Sequence, residues 1–372
     1  MHKSKLIPFL LFFFFSITFA QQKDTIYGKV KSVREQLHFL DNERQNMKLY
    51  STEGEYGHHG FSNADFTNNR FHSLWYNTPW VHYSNYYKEF NEIGKKTYEI
   101  WFYKDGDTVR TYRYRYDKQN NLTQTKSIYG LDDYTCRNYT YDNENNVSSS
   151  IYYVSDDPNL YSYTTYVRDS LSNLIQHKSF GEFGEEDYWK YAYDKKNRKI
   201  SKSIHKPYIY FNDGTTIRAI RDSVGLDKIC EKYFYDSNNN LVETQYYYYH
   251  SSNNLPSKLY RKVKNEYNKG LLKKVIHIRD TIISYDEYQY DNQKRKIKET
   301  VTSIKYPEIN RSSQYFYDIN NNIIKLIYTK DNKPITIKFE YEFDKQNNWT
   351  KQVKLVNEEK LFVWTREINY YE

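Results

Sequence analysis

The 372 residues carry 55 Lys and Arg against 47 Asp and Glu, a formal net charge of +8, and 19% of them are aromatic, including 44 Tyr and 20 Phe. Rings in that number, each burying a large area and favouring strands, exclude a disordered chain despite the low overall hydropathy, and with only seven Pro they point to an ordered β protein. Lys and Arg interleave with Asp and Glu throughout, which excludes the clustered basic footprint of a nucleic-acid binder.

Residues 1–20 read as a secretory signal peptide. His2, Lys3 and Lys5 precede an apolar run from Leu6 to Phe15, and Thr18 and Ala20 place small residues at −3 and −1 of a cut after Ala20. The run falls short of the ~20 apolar residues that span a bilayer. The chain is therefore expected to be exported, to the periplasm, the surface or the surroundings of a bacterium, with no membrane span after cleavage. Removing Lys3 and Lys5 lowers the net charge by two, from +8 to +6.

Residues 21–85 lack a clean repeat. The stretch "GKVKSVREQLHFL" (Gly28–Leu40) predicts one long strand, while "EYGHHGFSNADF" and "WYNTPW" predict loop-rich connections. This segment is expected to cap the first edge of the sheet that follows, because repeat arrays need an atypical end.

Residues 86–372 repeat. With the residue before each turn Asp as phase zero, the series runs Phe90, Tyr116, Tyr141, Arg168, Tyr193, Tyr235, Tyr267, Tyr290, Tyr317 and Phe343. Two positions earlier stand Tyr114, Tyr139, Tyr166, Tyr191, Tyr233, Tyr288, Tyr315 and Tyr341, with Lys88 and Asn265 as the departures. Alternation with a period of two gives strands with an aromatic face and a wetter face. Four positions after phase zero come Gly94, Asn120, Asn145, Ser172, Asn197, Asn239, Lys294, Asn321 and Asn347, mostly residues that tolerate positive φ, as short hairpin loops require. An apolar residue then opens a second strand, as at Leu122, Val147, Leu174, Leu241, Ile323 and Trp349. Second turns follow at "YKDGDT", "SDDPN", "FGEFGEE" and "TKDNKP". No 3.6-residue pattern intervenes. The predicted fold is all-β: a long antiparallel meander of about ten tandem β-hairpins, forming a single curved or twisted sheet with an open edge at each end, the Tyr positions aligned as ladders.

The phrases "YDKQNNLT", "YDNENNVS", "YDSNNNLV" and "YDINNNII" resemble the YD repeat of Rhs-type proteins, with Asn in place of that family's Gly. The resemblance covers about residues 86–372 and implies hairpins that spiral into a shell, in some members around a toxic C-terminal domain. Here the repeats run to "REINYYE", so the fold is carried over and the toxin role is not; ten hairpins also look too few to close a shell.

No catalytic motif is present, and no cofactor or metal is expected. Adjacent His58 and His59 lack a third ligand at a recognisable spacing, and the insertion at Phe211–Asp227 lacks a calcium-loop pattern, so polar loops are expected at both. Cys136 and Cys230 sit on the face opposite the Tyr ladder, three repeats and about 29 Å apart in an open sheet, too far for a disulfide. The functional lead is an exposed aromatic platform, with Trp75, Trp80, Trp101 and Trp189 as candidate ligand contacts. The sequence thus predicts a non-enzymatic exported scaffold that binds an envelope protein or a polysaccharide. The alternative is a toxin-associated component or an enzyme whose site lies in the N-terminal segment or the 205–230 insertion.

Overall fold

The computed structural model describes residues 25–372 apart from 41–80 and short stretches at 82–83, 104–105, 131–132, 156–160, 182–183, 206–207, 213–216, 222–226 and 249–256. Every predicted hairpin forms. The first joins β2 (Asn85–Phe90) to β3 (Lys96–Phe102), the second β4 (Thr108–Tyr116) to β5 (Leu122–Ile128), and the tenth β22 (Lys333–Phe343) to β23 (Trp349–Val356). Ten such hairpins give twenty strands; β24 (Glu359–Tyr370) and β1 (Val30–Phe39) bring the sheet to twenty-two, all antiparallel. In the insertion, β12 (Tyr208–Asn212) and β13 (Ile217–Arg221) pair only with each other, as a separate two-stranded hairpin.

The sheet is not open. β1 pairs along one edge with β24, from Val30↔Tyr370 to Phe39↔Phe362, and along the other with β2, from Ser32↔Glu89 to Gln36↔Asn85. The expected open, twisted meander is therefore a closed barrel, and β1 is the strand that seals it instead of a cap laid on one edge. Ten hairpins suffice because each contributes curl at the same place. Immediately before every phase-zero residue the pairing shifts by one, for example between Arg115 and Tyr116, between Gln289 and Tyr290, and between Glu342 and Phe343. The same shift occurs in the other seven hairpins. A β-bulge bends its strand and increases local twist, so ten in phase curl the sheet one way. Closure also removes the unpaired edges of β2 and β24, which would otherwise template aggregation.

The Asn positions behave as the turn demands. The nine phase +4 residues named above all have positive φ, from 60° at Asn145 to 76° at Gly94, and in the turn after Tyr267, one residue shorter, Gly270 takes that conformation at 77°. In eight repeats the turn Asp accepts, through Oδ1, the backbone N–H groups two and four residues on at 2.8–3.0 Å, as Asp117 does from Gln119 and Asn121. The following residue ties neighbouring turns together. Asn121 donates to Asn145 at 3.2 Å, Arg198 to Asn239 at 3.0 Å and Arg295 to Asn321 at 3.0 Å.

The two faces now separate. The face carrying the Tyr rows holds the deeply buried residues, among them Leu37, Trp101, Tyr315, Leu326, Ile337, Phe339, Phe362 and Trp364, each at most 4% exposed. It is the inward face, and its tightest packing lies where β1–β3 meet the last strands. The opposite face carries Arg113, Arg115, Lys264, Glu266, Glu287, Glu340 and Glu342, all exposed. There they form cross-strand ion pairs such as Lys351–Glu342 at 2.7 Å, Lys360–Glu340 at 2.8 Å and Lys274–Glu287 at 3.1 Å. Cys136 and Cys230 are both buried, and no disulfide joins them, as expected.

Candidate functional site

At seven of the ten phase-zero positions the residue is Tyr, and its hydroxyl is used as well as its ring. The hydroxyls of Tyr116, Tyr141, Tyr193, Tyr235, Tyr267, Tyr290 and Tyr317 each donate to the carbonyl that opens the second strand of the preceding repeat, at 2.7–3.1 Å. In the last repeat phase zero is Phe343, and Tyr341 makes the equivalent bond to Ile323 at 2.8 Å. These bonds stitch hairpin to hairpin at the Asn-turn end of the barrel. The seam at that end is locked by Asn348, which accepts from the Tyr27 amide at 2.7 Å and donates to the Tyr27 carbonyl at 2.8 Å.

Beside this lock, where the start of β1 meets β2 and the first Asn turn, a pocket of about 590 Å³ opens. Among the described residues its cations are Lys29, Lys88, Lys96 and Arg366, and Glu92 is the one lining carboxylate. Apolar wall comes from Ile26, Val30, Val33, Phe90 and Ile93, with the Tyr86 ring alongside. The volume is that of a small-molecule site.

Two buried carboxylates hold the cations in place. Glu35, fully buried, accepts from Tyr86 Oη at 2.6 Å and Arg366 Nε at 2.7 Å, and the Arg366 guanidinium lies 3.6 Å from the Trp349 ring centre. Glu99, with a side chain 4% exposed, accepts from Trp101 Nε1 at 2.7 Å, Tyr114 Oη at 3.0 Å and Lys96 Nζ. Lys88 Nζ stands 3.9 Å from Glu99 and 3.9 Å from the centre of the Tyr86 ring. Burial pushes the Glu99 carboxyl up, but the Lys88 and Lys96 charges and the hydrogen bonds outweigh it and hold the group below the usual carboxylate range. Burial, followed by the Glu99 charge, pushes the Tyr114 phenol well up. The lining offers fixed positive charge and apolar wall. That combination is equipped to hold an anion.

Of the four tryptophans expected to form a platform, Trp75 and Trp80 lie outside the described residues, as do His58 and His59. Trp101 is 1% exposed within the core, its indole N–H taken by Glu99. Trp189 is half-buried on the inward face, 6.3 Å from the His177 ring and with Lys202 Nζ 3.9 Å from its centre. The structure does not bring these two together. The residues missed were Lys29, Lys88, Lys96, Glu99 and Arg366. One signal was present: Lys88 occupies the position where eight other repeats place Tyr. Among the described residues no group of three His, Cys, Asp or Glu side chains gathers as a metal site would require.

No family model matches the chain, and no curated protein matches it. Similar solved structures include TcdB2-TccC3 in complex with Cdc42, 11% identical over 74% of this chain and 20% of that one, with a TM-score of 0.19. They also include a porin-like protein from Bacteroides uniformis, 11% identical over 73% of this chain and 91% of that one at a TM-score of 0.23. A porin-like protein from Bacteroides vulgatus is likewise 11% identical, over 76% and 96%, at a TM-score of 0.17. The chain thus spans about a fifth of the TcdB2-TccC3 chain it is similar to. TM-scores this low establish no common topology, and the functional reading rests on this chain's own residues.

Proposed function

We propose that the chain is an exported, non-enzymatic barrel scaffold that stands in water at the cell envelope and binds a protein partner or polymer there, without cofactor, nucleic acid or membrane span. The observation that carries this reading is the outward face. A barrel in lipid presents an apolar band outward, and each Lys or Arg at the bilayer midplane costs roughly 2–4 kcal/mol. Here Arg113, Lys264 and Lys338 sit near the middle of their strands and point outward at separate places around the ring, with Glu287 and Glu340 among them. A hydrocarbon environment would take these charges, ion-paired ones included, out of water. Binding is favoured by an outward cross-strand row of Ile151, Tyr163 and Phe180, in which the Tyr163 and Phe180 ring centres lie 6.4 Å apart. Ile151 and Tyr163 are 37% and 38% exposed. Such a row offers ring faces to a flat polymer unit, the role first expected of the tryptophans. The mature chain, purified without detergent and floated with lipid vesicles on a density gradient, is expected to remain in the aqueous fraction. Migration with the vesicles would overturn the aqueous reading.

A further inference from the structure

We infer that the seam pocket is a binding site for a small organic acid with an apolar body, the carboxylate meeting Lys29 and Lys96 with Lys88 behind them. This deepens the binding-scaffold reading by giving one site a ligand class. Three observations converge. Among the described residues the wall carries four cations and one carboxylate, Glu92. Two of those cations are largely withdrawn from water, Lys88 and Lys96 keeping 11% and 21% of their side-chain exposure, and both lean on the Glu99 carboxylate. Ammonium groups gathered in a partly dry cleft favour the arrival of an anion, because their mutual repulsion is weakly screened there. Lys29 stands exposed at the rim, with no ion pair to any described residue, where it can close over an entering carboxylate.

The third observation selects the body of the ligand. The rest of the wall includes Ile26, Phe90 and Ile93, and Ile93 is 58% exposed. An inorganic anion would leave that wall wet, whereas an aromatic or aliphatic chain covers it, at roughly 25 cal/mol per Å² removed from water. About 590 Å³ accommodates such a molecule.

The probe is 4-phenylbutyrate, titrated calorimetrically into the full mature chain beside its neutral amide and inorganic phosphate. The acid is expected to bind at one site per chain, and the amide and phosphate each at least tenfold more weakly. Lys29→Glu is expected to weaken the acid at least tenfold with the thermal melt unchanged, since Lys29 is exposed, while Lys29→Arg retains binding. Absence of acid binding, equal binding of the amide, equal binding of phosphate, or indifference to Lys29→Glu would each overturn the assignment. The titration can be run in water or in detergent micelles. A chain that floats with vesicles but binds the acid refutes only the aqueous scaffold, and a soluble chain that ignores the acid refutes only the site.

Discussion

Tyr290 donates its hydroxyl to the carbonyl of Leu272 at 2.9 Å, and the bond recurs around the barrel. Removing the hydroxyl leaves a half-buried carbonyl without that donor, so Tyr290→Phe is expected to cost about 1 kcal/mol. Urea denaturation of Tyr290→Phe beside Phe343→Tyr, where Tyr341 already serves, should show a loss for the first and no gain for the second. The ionisable groups add a pH signature. Hydrogen bonds from turn amides and neighbouring side chains hold the carboxyls of Asp142, Asp169, Asp194 and Asp236 below their ordinary value. A depressed carboxyl contributes stability that is present above its unfolded value, about pH 4, and is lost as pH falls through its folded one. Burial raises the phenols of Tyr191, Tyr193, Tyr235 and Tyr290, and that of Tyr370 to about 12. Their contribution is complete below about pH 10, the unfolded value, and fades as pH rises through the folded ones. The urea midpoint is therefore expected to fall below about pH 4 and above about pH 10; a midpoint that stays level beyond either limit would contradict this.

At the scale of the element, the hairpin was legible and its curvature was not. The phase-zero rings, the turn Asp and the left-handed Asn could all be read from spacing, because each follows from local backbone geometry. The bulge was hidden. Its extra residue falls between Leu122 and Gln124 in the second repeat, and alternation over so short a stretch does not reveal one added position. Closure was out of reach for a further reason, since β1 finds β24 more than three hundred residues away. An aromatic letter also does not say which surface its ring will face, which is why Trp101 was expected on a platform and lies in the core. The seam itself makes a prediction. Glu35 and Arg366 are nearly dry partners across β1 and β24, and removing one member of such a pair costs ~3–5 kcal/mol. Glu35→Gln and Arg366→Met are each expected to destabilise by about that much. The double variant should lose less than the sum, as a double-mutant cycle would report.

For the whole molecule, ten copies of one bulge and one tyrosine bond make a ring whose aromatic side turns inward and whose charged side turns outward. The proposed aqueous setting of the ring rests on those charges, and the pocket beside the closing strand supplies a concave, cationic surface. The assignment of inside and outside is tested most directly by thiol labelling. Single cysteines would be placed at outward Arg113 and Glu340 and at inward Ser313 and Gln352, and treated with a charged maleimide with and without lipid vesicles. Buried Cys136 and Cys230 should contribute only a slow background. Rapid labelling at 113 and 340, unchanged by lipid, with slow labelling at 313 and 352, is the predicted result. Protection of 113 and 340 by vesicles, or equal rates at all four positions, would contradict it.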